Sequence, residues 1–517
     1  MRLAAIRSLT AVSLAAALAV SVRAVAGTFF VGTLRFASPM GMESLFAGAF
    51  LAIVLLQSQR SGALAAPAPA APAARFQIAP LLAALAVVAA AYIPSLRDPF
   101  LSDDYILVSR ATLDPARIVA VFHTPGGDGS FRPLGYLYFA LLRHFGGVDP
   151  LKWHACALAV HLINCALLYA IVSRAHPLVR TGPPGPVLRQ PYQSQPSQPG
   201  AGADQGVRPT FLAFTAAALF GLNGTRPEAV AWTAGNFDLL ACAFTLAATL
   251  AILRRRVALA LPLLFLGILC KESAYAAPAV IFGFAAAANR LRDSRVRLGL
   301  IASIALCAAM FAYRWSLFHG PGGYIDPSTG QPQVLSFHLG ATLKALFVRV
   351  WANLLFPVNW DASTKSATLA VALLIGSGAT IYAAFANRLS RRIVSSMLAV
   401  TIGALLPAYH LALIGDNLNG SRILYLPALG FCVLCAHLLQ SKRLAAALLV
   451  VCTGAILLHN LDAWHRNAVL ADQVCAGATT QSPVHDLNGV VFFANGYKEC
   501  VEMNAEWARG RPALPRR

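Results

Sequence analysis

Charged residues are scarce in this sequence. Only 12% of its 517 positions are Asp, Glu, Lys or Arg, while 57% are hydrophobic and the mean hydropathy is +0.62. A soluble globular chain carries about 25% charged residues, so that class is excluded. Disorder is excluded as well, because apolar surface is abundant. Cysteine is thin: ten in 517 residues do not make a disulfide scaffold. Acids are scarcer than bases, 21 against 41, for a net charge of +20. In a soluble chain that excess would suggest nucleic acid. Here the bases sit between long apolar runs and membrane topology accounts for them, with no nucleic-acid partner implied. No internal repeat is visible, which weighs against transporters built from inverted repeats. The composition is that of an all-α polytopic membrane protein.

A helix needs about 20 mostly apolar residues to cross the hydrocarbon core. About 13 transmembrane helices are expected on this criterion: 8–22, 40–57, 77–95, 153–173, 207–222, 237–253, 257–270, 274–289, 298–315, 367–387, 393–412, 423–440 and 444–460. Cytoplasmic loops are enriched in Lys and Arg. Arg254–Arg256, the Arg290–Arg297 group, Arg388–Arg392, Lys442–Arg443, Arg60, Arg75 and the 174–208 loop all fall on one side. That side holds nearly half of the basic residues but only Asp204 and Asp293 of the 21 acids. If 341–358 also crossed, Arg388–Arg392 would be exported, so this segment is expected to lie along the outer surface as an amphipathic helix. The N-terminus fits a signal peptide or, preferably, a retained hairpin, because a second apolar run and basic residues follow it. Three regions result: 1–76, a hydrophobic hairpin with an Ala/Pro linker; 77–460, the transmembrane core, with an outward loop at 96–152 and a structureless loop at 174–208; and 461–517, an outward tail.

Polar residues capable of chemistry gather at the outward ends of these spans. Asp103 and Asp104 stand just beyond a membrane helix, followed by Tyr105. Adjacent carboxylates raise each other's pKa and attract divalent cations, so the pair suits a general base or a metal site. A solvated loop or a helix N-cap at Ser102–Asp103 is the structural alternative. Arg226, Glu228 and Asp238 bracket a turn that contains Trp232, Lys271–Glu272 occupies the next outward turn, and Asp416 and Arg422 flank a later one. Each has a bland counterpart as a solvated turn residue or interfacial aromatic. Collectively they place bases (Arg132, Lys271, Arg422) and acids on one membrane face, where ionisable groups are kept for function or in pairs. His161 and Asn164, one turn apart, suit hydrogen bonds between helices. Cys432 and Cys435 lie in a membrane helix and read as small apolar residues. Cys475 and Cys500, both in the outward tail, are candidate disulfide partners.

Four stretches carry a resemblance: SDDY (102–105) with FRPLGYLYF (131–139), RPEAVAWTAGNFDLLACAF (226–244), LCKESAYAAPAV (269–280) and LLPAYHLALIGDNLNGSRILYLPALGF (405–431). Together they resemble the glycosyltransferase C (GT-C) superfamily, and within it the protein O-mannosyltransferases and the transmembrane-and-tetratricopeptide O-mannosyltransferases. LDAWHRNAVLADQ (461–473) is similar to the segment leading into the repeats of the latter. Asn223-Gly224 stands where that family has His-Pro, and the tail is too short for repeats of about 34 residues each.

The resemblance implies a GT-C-like bundle with an 11-helix core, the N-terminal hairpin being additional, and an outward first loop carrying short helices. It also implies inverting transfer of a sugar, of hexosyl or mannosyl type, from a polyprenyl-phosphate donor to a hydroxyl on a protein, lipid or glycan acceptor. Asp103 or Asp104 would be the catalytic base, with a divalent cation (Mg or Mn) as an optional cofactor bound there. Arg132, Lys271 and Arg422 would bind the donor phosphate. Tyr105, Arg226, Glu228, Asp238, Glu272 and Asp416 would line the substrate cavity. The expected location is a bacterial inner membrane, with membrane lipid around the bundle and the active site facing the periplasm. A transporter or flippase of a lipid-linked glycan, or a degenerate GT-C scaffold subunit, is the alternative.

Overall fold

The computed structural model describes residues 77–124, 129–174, 203–323, 350–355, 357–359, 391–411, 414, 417–440, 442–476, 486–487, 490–491 and 497–510. In chain order its helices are α1 (Ile78–Tyr92), α2 (Asp104–Arg110), α3 (Pro115–Ala120), α4 (Pro133–Gly146), α5 (Pro150–Arg174), α6 (Ala203–Leu222), α7 (Pro227–Val230), α8 (Asn236–Leu253), α9 (Val257–Cys270), α10 (Ala277–Ala287), α11 (Ser294–Phe318), α12 (Val350–Leu355), α13 (Arg391–Leu405), α14 (Ala428–Leu439), α15 (Arg443–Cys475) and α16 (Tyr497–Gly510). A two-residue antiparallel ladder, β1 (Asp486–Leu487) with β2 (Val490–Val491), is the sole strand pairing among the described residues.

The protein is a helical membrane protein. Five segments are long and apolar enough to cross a bilayer: Ile78–Arg97, Pro150–Arg174, Thr233–Leu253, Ser294–Phe318 and Arg443–Cys475. Shorter apolar helices lie at Thr210–Leu222, Val257–Cys270, Glu272–Ala287, Arg392–Ala408 and Ala428–Leu439. The expected spans 8–22, 40–57 and 367–387 fall outside the described residues, as does 341–349 of the expected surface helix. Of its remainder, Val350–Leu355 form α12. Two boundaries differ from expectation: α6 begins at Ala203, inside the loop expected to be structureless, and the C-terminal span runs on. The last apolar run does not stop near 460 but continues as a single 33-residue helix to Cys475, about 50 Å at 1.5 Å per residue, longer than a hydrocarbon core.

Within a membrane, helices associate through close backbone approach and buried hydrogen bonds rather than by excluding water. Both devices are present. A Cβ on Gly283 of α10 would lie 2.3 Å from the Val400 side chain of α13, and one on Gly403 would lie 2.4 Å from Ala279, so small residues bring these two helices together. On the other side of the bundle His161 and Asn164 of α5 meet Tyr425. The His161 Nε2 faces the Gly221 carbonyl at 3.1 Å and Nδ1 faces the Tyr425 hydroxyl at 2.5 Å. A carbonyl only accepts, so Nε2 carries the proton and Nδ1 accepts from the hydroxyl. Asn164 completes the chain, donating to Tyr425 Oη at 3.1 Å and to the Leu239 carbonyl at 3.0 Å.

Candidate functional site

The connections that carry the polar motifs pack on one another. The turn after α6 begins with Asn223, whose Oδ1 accepts from both the backbone N–H and the hydroxyl of Thr225, at 3.0 and 2.7 Å. Asn223 thus closes an Asx turn. Gly224 passes so close to the chain that a Cβ would lie 2.4 Å from the Pro357 carbonyl. The turn delivers Arg226 into the interior, fully buried, with its guanidinium 4.4 Å from the Phe220 ring centroid and 4.5 Å from that of Tyr425. Its Nε donates to the Phe220 carbonyl at 2.9 Å. The two rings lie on one side of the guanidinium and give it cation–π contact, while its Nη1 and Nη2 are buried without a hydrogen-bond partner among the described residues.

Asp103 and Asp104 separate at once. Asp103 is exposed at the N-cap of α2, where its side chain makes no capping bond. Asp104 is completely buried. Its Oδ1 accepts the Ala234 N–H at 2.8 Å, while Oδ2 accepts the N–H groups of Leu101 at 3.2 Å and Thr233 at 3.3 Å. Burial pushes the Asp104 carboxyl up to about 8, against these three donors, which favour its charged form. The two neighbouring carboxylates thus stand in different surroundings, Asp104 with both oxygens facing N–H donors and Asp103 exposed. Among the described residues no group of three or more His, Cys, Asp and Glu is arranged to hold a metal ion. Tyr105 is buried on another side of α2, in a cluster with Phe100, Val148 and Trp153, rather than beside the charged residues.

Three cation–carboxylate units assemble around these turns. Arg132, the N-cap of α4, grips Glu272 with Nε and Nη2 at 3.1 and 3.3 Å, and Arg314 adds a third contact at 3.4 Å. Burial alone would raise the Glu272 carboxyl, but the two guanidinium groups outweigh it and hold it down at about 2. Lys271 bonds Asp238 at 2.5 Å. Its ammonium pKa is lowered, first by burial, with Arg132 and Arg422 pushing the same way against Asp238, so the three cations share one field. Arg422 reaches Glu228 Oε1 at 2.9 Å. The Glu228 carboxylate, only 1% exposed, also accepts the backbone N–H groups of Gly420 at 3.0 Å and Arg422 at 2.8 Å, and the Ser421 hydroxyl at 3.3 Å. Gly420 sits at φ +86°, a backbone state that favours glycine and lets this turn wrap the carboxylate.

Trp232 joins the two halves of the site. The Arg422 guanidinium lies 4.7 Å from the Trp232 ring, and the indole N–H donates to the Leu101 carbonyl at 2.9 Å, two residues before Asp103. The structure thus brings Arg132, Lys271, Arg422, Glu228, Asp238 and Glu272 together beside the α2 loop and sets Tyr105 and Arg226 apart. Asp416 lies outside the described residues. Arg314, which shares Glu272, and Asn460, which bridges the Gly224 and Pro357 carbonyls at 2.7 and 2.6 Å, were not candidates from sequence. An ionisable residue at the end of an apolar span was the available signal for Arg314. Cys475 and Cys500 form a disulfide.

Compared with known proteins, the chain matches no family model, no curated protein and no solved structure.

Proposed function

We propose that the protein is an inverting glycosyltransferase of GT-C type, using a polyprenyl-phosphate sugar at the periplasmic face of an inner membrane. About 13 crossings, eleven of them the core, would put the Arg- and Lys-rich loops in the cytoplasm and the site described above outside it. One observation carries the reading. Arg132, Lys271 and Arg422 come from three separate turns, each held by its own carboxylate, and Trp232 links Arg422 to the loop that presents Asp103.

In this reading Asp103 takes the proton of the acceptor hydroxyl as its oxygen attacks the anomeric carbon from the side opposite the phosphate. The bond from carbon to phosphate oxygen breaks, its electron pair stays on the phosphate, and the three cations stabilise the charge that develops there. Asp104 has no route to the acceptor and acts by holding the loop. The carboxylates of Asp238, Glu228 and Glu272 keep the cations in place when no phosphate is bound, which limits the cost of charges at membrane depth.

Membranes containing the protein, supplied with a labelled polyprenyl-phosphate hexose, test this. Wild type transfers label to an endogenous acceptor, and Asp103→Asn loses transfer while still binding donor. Undiminished transfer by Asp103→Asn would remove the base assignment. The complete pairing of the cations gives a second reading some support, that of a GT-C scaffold without catalysis. It predicts no transfer by wild type and an unchanged cell phenotype with Asp103→Asn.

A further inference from the structure

The reaction proposed above uses the charged turns beside α2, whereas Tyr105 belongs to a different side of that helix. It lines a cavity of about 280 Å³ whose wall also includes Arg97, Phe100, Asp149, Asp472 and Met503. These residues come from the turn after α1, the start of α5, the end of α15 and from α16. Met503 places the C-terminal helix at this wall, and that helix is fastened three ways. Cys500 is bonded to Cys475 of α15, Glu499 pairs with Arg110 of α2 at 3.5 Å, and Glu506 pairs with Arg143 of α4 at 2.8 Å. Cys500 and Met503 are both buried against the Tyr105 and Trp153 cluster. The cavity is therefore bounded by a helix held in a fixed position.

Its lining selects a ligand by chemistry. Two carboxylates against one guanidinium disfavour an anionic headgroup, and these three charges among apolar neighbours disfavour a ligand that is hydrocarbon throughout. Phe100 and Tyr105 supply ring surface. The volume lies just under the range of about 300–1,000 Å³ usual for small-molecule sites, so one or two small rings fit and a long chain does not. A sugar ring suits this mixed wall: its hydroxyls donate to Asp149 and Asp472 and accept from Arg97, and its C–H face packs on an aromatic ring and on the apolar Pro99, Val148, Pro150 and Leu151. We propose that this cavity binds a neutral, hydroxyl-rich ring, a sugar or similar polyol, belonging to the acceptor. The assignment to an acceptor rests on the transferase reading. The binding does not.

The test uses the full chain in lipid nanodiscs and methyl hexosides as probes, read by saturation-transfer NMR. Wild type is expected to show hexoside contact. Met503→Trp, which fills the cavity, should abolish it. Asp472→Asn, nearly isosteric, should weaken it about tenfold through loss of a charged acceptor, and Met503→Leu should retain it as the folding control. No hexoside contact in wild type, or contact that persists in both Met503→Trp and Asp472→Asn, overturns the proposal. Displacement of the probe by a quaternary ammonium compound but not by a second hexoside overturns it too, in favour of a cation pocket. Failure of the transferase reading registers elsewhere, as no transfer of label by wild type, so the two outcomes stay distinct.

Discussion

Asp104 accepts the backbone N–H of Ala234 at 2.8 Å across 130 residues of sequence, and so fastens the loop after α1 to the turn that begins α8. With Thr233 and Leu101 bonded to the same carboxylate, three buried donors depend on one side chain. Asp104→Ala leaves all three unpaired, and Asp104→Asn turns an amide donor toward at least one of them. Either variant should lose about 2–3 kcal/mol of stability, the cost of stranding buried donors. Asp103→Asn, at an exposed position, should stay within about 0.5 kcal/mol of wild type. Thermal unfolding in detergent checks this. Equal losses at the two positions would contradict the division of labour between them.

Glu228 sets the position of Arg422. Its carboxylate takes four contacts from the Gly420–Arg422 turn, and breaking a buried pair from one side costs about 3–5 kcal/mol because the remaining charge is stranded. Glu228→Gln should fall at the lower end of that range, since Arg422 keeps its Trp232 ring and a quarter of its side chain is exposed. Arg422→Met removes the stranded cation as well, so the double variant should be less destabilised than the sum of the singles. A double-mutant cycle on unfolding midpoints measures the difference, and strict additivity would show that the pair is not coupled.

Much of this was legible in the sequence, for definable reasons. Apolar runs place helices because length and hydropathy are local properties, and the polar residues at their ends stood out against a background with 12% charge. Adjacency in sequence says less about partners. Nothing local to Asp103 and Asp104 reveals that one is exposed and the other sealed, since two of the three donors on Asp104, the N–H groups of Thr233 and Ala234, come from a distant turn. Arg314 was hidden inside a segment read as apolar, and Asn460 in a helix whose other residues are ordinary. Tyr105 was grouped with the charged residues by proximity along the chain, yet a helix turns about 100° per residue and carries it into an aromatic cluster.

Acid should destabilise the protein through Glu272. Its carboxyl is held near 2 against an ordinary value of 4.5, so the folded state binds the proton less readily than the unfolded one. The contribution is complete above about pH 4.5 and is lost as the pH falls toward 2, with a ceiling of about 3 kcal/mol for that difference. Melting temperature should therefore decline with acidification in that window, and Glu272→Gln should flatten the decline while lowering stability at neutral pH. The same slope in wild type and Glu272→Gln would assign the acid sensitivity to other carboxylates.

The C-terminal helix is the element most readily detached by chemistry. The Cys475–Cys500 bond closes a loop with a sequence separation of 25, which on the chain-entropy model is worth about 3 kcal/mol. Its other fastenings are ion pairs with exposed partners, Arg110 at 70% and Glu506 at 45%, worth about 0–1 kcal/mol each. With Met503 buried in the Tyr105 cluster, worth about 1.5–3 kcal/mol, the disulfide is one of the two main restraints on α16. Replacing both cysteines by Ser, or reducing the bond, should speed hydrogen exchange in α16 and then in α2, whose Tyr105 and Val108 share its apolar cluster. Exchange in α9 and α10 should be unaffected, because the main packing of α16 is on α2 and α15. Mass-spectrometric exchange on the intact and reduced protein reads this peptide by peptide. Uniform acceleration across the bundle would mean that the bond supports the whole fold rather than the position of one helix.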